Sequence, residues 1–144
     1  MEGIFTIRQT SSGRFLDGHE IEDQDFQLVT RPAQDNDTQR WILTPVGVVH
    51  KIRHKTSGRF LDAYEIEDKD SRLVTRFAQS VDSQRWIVMP VGDGSFTIQF
   101  HHPTAQQRSN GRFLNAYQGA PKDFGVITRP RRNSSTERWL LDRI

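Results

Sequence analysis

Ser12-Gly13-Arg14-Phe15-Leu16-Asp17, followed by Leu28-Val29-Thr30-Arg31 and then by Gln39-Arg40-Trp41, is the stretch that decides the fold. It returns as Ser57-Gly58-Arg59-Phe60-Leu61-Asp62, Leu73-Val74-Thr75-Arg76 and Gln84-Arg85-Trp86. A third, looser copy reads Asn110-Gly111-Arg112-Phe113-Leu114-Asn115, Val126-Ile127-Thr128-Arg129 and Glu137-Arg138-Trp139. The spacing between copies is 45 and then 53 residues for all three motifs. Residues 12–47 match residues 57–92 at 25 of 36 positions. Each copy uses one of the 3 Trp of the chain, so the repetition is architectural. The extra residues of the second spacing fall between Trp86 and Gly111, and most of them lie in 101–107.

Inside a copy the apolar period is two rather than 3.6, the mark of strands. Phe5 and Ile7 alternate, as do Phe96, Ile98 and Phe100. Arg14–Leu16, Gln27–Thr30 and Arg40–Leu43 read as three further short strands, separated by Gly, Pro, Asn, Asp and Ser. Four strands per copy give twelve, and no segment has an amphipathic helical pattern. A solenoid would need polar caps, and a propeller typically has at least four blades. A closed barrel with pseudo-threefold symmetry, an all-β β-trefoil, accommodates the pattern. The chain reads as one domain, 1–144, with repeats of about 1–47, 48–92 and 93–144. The Trp residues and the Phe-Leu pairs are expected to meet around its axis.

Composition agrees with a thin core shared three ways. The 144 residues are 34% hydrophobic, with 10 Gly and no Cys, which removes disulfides, thiol nucleophiles and Cys-based zinc sites. No apolar run approaches the length of a membrane helix, so no membrane insertion is expected. Met1-Glu2-Gly3 lacks a secretory pattern, and a cytoplasmic location is the expectation. A net charge of +2 is no footprint for nucleic acid.

The Gln-x-Trp elements resemble the signature of ricin-B-type β-trefoil lectins. The fuller wording around Gly-Arg-Phe-Leu-Asp and Leu-Val-Thr-Arg-Pro-Ala-Gln is similar to the small β-trefoil lectins of mushroom fruiting bodies. The resemblance spans essentially the whole chain, with the third copy departing at Glu137. It implies recognition of galactose- or N-acetylgalactosamine-containing glycans of glycoproteins or glycolipids, without catalysis or cofactor. Trefoils also serve as protease inhibitors and cytoskeletal binders, so the fold alone does not decide the function.

A sugar site needs a carboxylate or amide for neighbouring hydroxyls and a flat group for the C–H face. Asp17 with His19 fits in the first repeat, since residues two apart on a strand share a face. The counterparts are Asp62 with Tyr64, and Asn115 with Tyr117. The resemblance places a hydroxyl-binding Asp at this position, matched by Asp17 and Asp62. Asn115 departs by losing the charge, so the third site is expected to be weaker or altered. Arg31, Arg76 and Arg129 stand near where the lectin family often carries an aromatic; each is a hydroxyl donor or a salt-bridge partner. The turns before Gln39 and its copies offer Asn36 and Thr38, then Ser83, then Thr136, as sugar contacts or as turn formers. Gln39 reads as a brace behind the site. Arg14, Arg40 and their copies read as loop holders.

The acidic stretch from Glu20 to Asp25, repeated from Glu65 to Asp70, lacks the ligand spacing of a calcium loop. His50, His54, His101 and His102 form no metal-ligand pattern, and no metal is expected. The rival to a lectin is a protein–protein module such as a protease inhibitor, which would use residues 101–107 as a unique protruding loop. Pairing into a homodimer would add sites and is left open by the sequence.

Overall fold

The computed structural model describes residues 1–18, 27–63, 73–78, 84–101, 112–117 and 124–144. The first repeat contains strands β1 (Gly3–Gln9), β2 (Phe15–Gly18), β3 (Leu28–Arg31) and β4 (Trp41–Val46). The second contains β5 (Val49–His54), β6 (Phe60–Ala63), β7 (Leu73–Arg76) and β8 (Trp86–Pro90). The third contains β9 (Phe96–Phe100), β10 (Phe113–Ala116), β11 (Val126–Arg129) and β12 (Trp139–Arg143). Twelve strands therefore stand among the described residues, four per repeat.

Six of them close a barrel. β1 pairs β4, β4 pairs β5, β5 pairs β8, β8 pairs β9, β9 pairs β12, and β12 returns to β1, all antiparallel. The other six form three hairpins, β2–β3, β6–β7 and β10–β11, each in the same four-residue register. β3, β7 and β11 touch one another pairwise, which makes the hairpins a three-part cap over one barrel end. The fold is an all-β β-trefoil. Gly13 and Gly58 open their hairpins with φ of 73°, a conformation that a side chain would strain.

The core repeats with the sequence. Trp41, Trp86 and Trp139 are fully buried, together with Leu16, Leu61 and Leu114. Each indole Nε1–H donates to the carbonyl of the Leu 25 residues before it: Trp41 to Leu16, Trp86 to Leu61 and Trp139 to Leu114. Burial of each Leu or Trp side chain contributes about 1.5–3 kcal/mol by transferred area, and the indole bond leaves no polar cost behind. Phe15 and Phe60 were expected in this core beside their Leu neighbours but stand half-exposed on the opposite strand face. Alternation explains the difference, because adjacent residues of a strand point to opposite faces. Only Phe113 is buried, at 2% exposure.

The Arg of each Gly-Arg-Phe-Leu motif ties its hairpin together. Arg14, Arg59 and Arg112 donate Nε to the hydroxyl, and Nη2 to the carbonyl, of Thr30, Thr75 and Thr128 respectively. Their role as loop holders is met in all three repeats. Repeats are also joined by polar latches. The buried His54 ring reaches the Thr38 carbonyl at 2.9 Å and Ser57 Oγ at 2.9 Å, while Gln9 Nε2 donates to the Thr136 carbonyl at 2.7 Å.

That latch dictates Gly18. A Cβ built there would lie 2.4 Å from His54 Nε2, and the ring is held through both nitrogens. The aligned residues of the other repeats are Ala63 and Ala116, with Phe100 and Gln9 taking the place of His54 in the pattern. Gly18→Ala is expected to destabilise by about 1–3 kcal/mol, read as a lower denaturant midpoint. An unchanged midpoint would show that His54 can yield.

Candidate functional site

The register of each hairpin assembles the candidate residues. Asp17 lies opposite Val29, and Phe15 opposite Arg31, so Asp17 and Arg31 share the outer face of the β2–β3 hairpin. The same holds for Asp62 and Arg76, and for Asn115 and Arg129. The inner face carries Leu16, Leu28 and Thr30, all fully buried.

Asp17 and Asp62 are each only 6% exposed. An isolated buried carboxylate is costly, and each is answered by the Gln of its own repeat. Gln39 Nε2 donates to Asp17 Oδ2 at 3.0 Å, and Gln84 Nε2 donates to Asp62 Oδ2 at 3.0 Å. Both amides also donate to a backbone carbonyl, of Pro32 and of Phe77. Gln39 Oε1 accepts from the backbone N–H of Gln34, which pins its orientation. The brace foreseen for Gln39 is thus a direct grip on the carboxylate. Among the described residues, Oδ1 of Asp17 and of Asp62 has no hydrogen bond. It is not among the sealed, unpartnered atoms either. The first and second repeats therefore each present one anchored carboxylate with one oxygen open among the described residues.

The third repeat inverts the chemistry. The amide is on the strand (Asn115) and the carboxylate is in the turn (Glu137). Glu137 is 1% exposed and accepts from the backbone N–H groups of Arg132 and Asn133. Asn115 spends Oδ1 on the Ala116 amide and Nδ2 on Thr136 Oγ1. Over the same face, the Arg129 guanidinium lies 4.9 Å from the centre of the Tyr117 ring. The aromatic surface that could meet a sugar in this repeat already meets an arginine.

The remaining candidates divide. Arg31 and Arg76 each donate Nη1 to the carbonyl of the preceding Thr and have further contacts. Asn36 caps the short 3-10 turn Asp37–Gln39, accepting from the amide and hydroxyl of Thr38, while its Nδ2 donates to Gln34. Thr136 bonds Asn115 and Ser134 in the equivalent turn. The polar groups of these turns are largely engaged in shaping them. His19, Tyr64 and Ser83 lie outside the described residues, as do the acidic stretches, Gly111 and most of residues 101–107. No cluster of three metal-binding side chains occurs among the described residues.

Arg40 and Lys55 hold the first-repeat turn electrostatically. Arg40 bridges Asp35 at 2.7 Å and Asp37 at 3.0 Å, and Lys55 reaches Asp37 at 3.0 Å. The hydrogen bond from Lys55, and then that from Arg40, lower the pKa of Asp37 below its ordinary 3.8. The folded value is depressed, so the stabilisation is complete above the unfolded value and lost as pH falls through the folded one. Lys55→Met is expected to move the Asp37 carboxyl titration upward, read by carbon NMR. An unmoved midpoint would deny Lys55 that role.

A family model gives the family, and solved structures give the fold. The model of the family described as "Ricin-type beta-trefoil lectin domain-like" matches residues 1–79, more than half of the chain. Among solved structures, the designed threefold-symmetric protein ThreeFoil is similar at TM-score 0.83 and 20% identity, covering 99% of both chains. The Rhizoctonia solani agglutinin is similar at 0.77 and 16%, covering 100% of this chain and 96% of that one. The Macrolepiota procera ricin B-like lectin, solved with lactose, is similar at 0.75 and 17%, covering 98% and 95%. At these identities the structures establish the shared fold. No curated protein matches the sequence.

Proposed function

The chain belongs to the ricin-type β-trefoil lectin domain-like family, and on that premise we propose that it is a non-catalytic lectin for galactose- or N-acetylgalactosamine-containing glycans. The wording of its motifs aligns it with the mushroom fruiting-body members. The observation that carries the reading is the pair of nearly buried carboxylates, Asp17 and Asp62, each gripped through one oxygen by its repeat's Gln. Neighbouring sugar hydroxyls are natural donors to the oxygen left open, and charged acceptors make the stronger bonds. Lactose in the Macrolepiota procera structure supports galactose as the first sugar to test. The carboxylates recur in phase rather than gathering into one asymmetric constellation, which suits multivalent binding better than catalysis.

Two sites, in the first and second repeats, follow from this reading, with the third disabled by its inverted pair. A single shallow site has an affinity on the order of 1 mM, about −4 kcal/mol. Two on one rigid body gain avidity for clustered glycans, often ~10²–10⁴-fold. A glycan array with competition by free galactose and N-acetylgalactosamine tests the proposal. Binding to galactose-terminated glycans that either sugar competes away is expected, and silence across the array would refute it.

The inversion has its own test. Asn115→Asp with Glu137→Gln rebuilds in the third repeat the pair seen in the other two. Calorimetric stoichiometry is expected to rise by one site per chain. An unchanged stoichiometry in the folded variant would place the block elsewhere, with the Arg129–Tyr117 stack as the next group to remove.

A further inference from the structure

A cleft of about 510 Å³ opens between the barrel strands β1 and β12 and the turn at residues 33–36; Gln39, whose amide grips Asp17, is among its lining residues and Asp17 is not. We propose that it is a saccharide-ring site separate from the repeat carboxylates, an inference that rests on the lectin reading of the chain.

Its chemistry differs from its surroundings. Phe15 contributes a half-exposed ring, and the Arg8 guanidinium carbon lies 5.8 Å from the centre of that ring. Arg8 Nε is sealed from solvent, and among the described residues it has no hydrogen-bond partner. A buried N–H without an acceptor is uncommon. Asp142, exposed, faces the same cleft from β12, in register with Thr6. Neither Arg8 nor Asp142 forms an ion pair among the described residues, although strand alternation puts both on the outer barrel face. The other charges of the rim, Arg40 and Asp35, neutralise each other.

One guanidinium and one carboxylate, neither in an ion pair among the described residues, line the cleft together with an aromatic ring. An anion would meet Asp142, and a cation would meet Arg8. A neutral ring with neighbouring hydroxyls satisfies both, because each hydroxyl donates and accepts, and its C–H face can lie on Phe15. The volume lies within the usual range for ligand clefts, about 300–1,000 Å³.

The third repeat supplies a natural control. Its equivalent cleft is lined by Thr97, Arg131, Glu137, Arg138, Met89 and Val91, which align with Thr6, Ala33, Gln39, Arg40, Asp142 and Ile144. It holds only about 130 Å³. Arg131 stands where the first repeat has Ala33, and its guanidinium lies 4.6 Å from the centre of the Phe113 ring. Met89 replaces the carboxylate of Asp142. One copy is thus filled by Arg131 and lacks the Asp142 carboxylate, while the other is open and carries both Arg8 and Asp142.

The test uses the fold's own substitution. Ala33→Arg copies the third repeat at an exposed position and should fill the cleft without unfolding the protein, which a thermal melt checks. Uniformly ¹⁵N-labelled protein is titrated with lactose to about 50 mM, well above an affinity on the order of 1 mM. Wild type is expected to show two groups of shifted amides, one around Asp17 and Asp62 and one around Arg8, Phe15 and Asp142. Ala33→Arg should erase the second group and spare the first. Asp17→Ala/Asp62→Ala should do the reverse. Shifts confined to the first group, or a second group that survives Ala33→Arg, would overturn the cleft site and leave the lectin reading intact. Shifts only in the second group would support the cleft and overturn the role of the two carboxylates. No shift anywhere would overturn both.

Discussion

The double variant Asp17→Ala/Asp62→Ala is expected to lose binding to a galactose-bearing surface by at least about 100-fold, the scale of the avidity that two sites supply, while its fold survives. The two halves of that statement have separate grounds. Each carboxylate presents an oxygen with no donor among the described residues, so its removal deletes the charged acceptor offered to a sugar. The same removal leaves Gln39 or Gln84 with its second bond, to the Pro32 or Phe77 carbonyl, so the turn keeps an anchor. A partly buried carboxylate held by one amide contributes little net stability, because its desolvation offsets much of the bond. The expected loss of stability is therefore about 1 kcal/mol per site, within what the protein can bear. Single variants should retain binding at the untouched repeat and lose avidity. Surface plasmon resonance on an immobilised glycan, run beside a denaturant melt, separates the two effects. Full affinity in a folded double variant would show that the hydroxyls are met elsewhere.

The trefoil was legible because its information is redundant. Three Trp at two spacings, each with a Gly-Arg-Phe-Leu motif 25 to 28 residues upstream, admit few other closures. Which of two adjacent apolar residues faces inward was harder to read. Phe15 and Leu16 are both candidates by composition, and strand phase alone decides between them. The Asp-Gln partnership also left a sequence signal. Asp17 with Gln39, and Asp62 with Gln84, become Asn115 with Glu137, a reciprocal exchange that keeps one carboxylate and one amide per repeat. Such an exchange means contact, and the hairpins and turns provide it directly in two repeats. Arg8 and Asp142 left no such trace. They are 134 positions apart in the chain, belong to no motif, and meet only because the barrel closes β1 onto β12. Closure is a property of the whole chain, which local spacing does not encode.

Trp86→Ala is expected to remove about 3–5 kcal/mol of stability, the usual range for a deleted buried aromatic. Against a total of about 5–15 kcal/mol, that is enough to leave the variant marginal. Trp86 is fully buried, its ring meets Phe100 edge-on at 5.9 Å, and its Nε1–H donates to the Leu61 carbonyl at 3.1 Å. Trp86→Phe is the sharper experiment. It keeps most of the apolar volume and strands a buried carbonyl, at about 1–3 kcal/mol. That carbonyl belongs to the peptide joining Leu61 to Asp62, so the indole holds the backbone from which the binding carboxylate projects. Trp41 does the same for Leu16 and Asp17. Core and site are therefore coupled through one hydrogen bond per repeat. Trp86→Phe should weaken glycan binding at the second repeat and spare the first, a split that calorimetry of the folded variant can read. Equal loss at both repeats would mean that the indole supports the fold as a whole and has no local hold on Asp62.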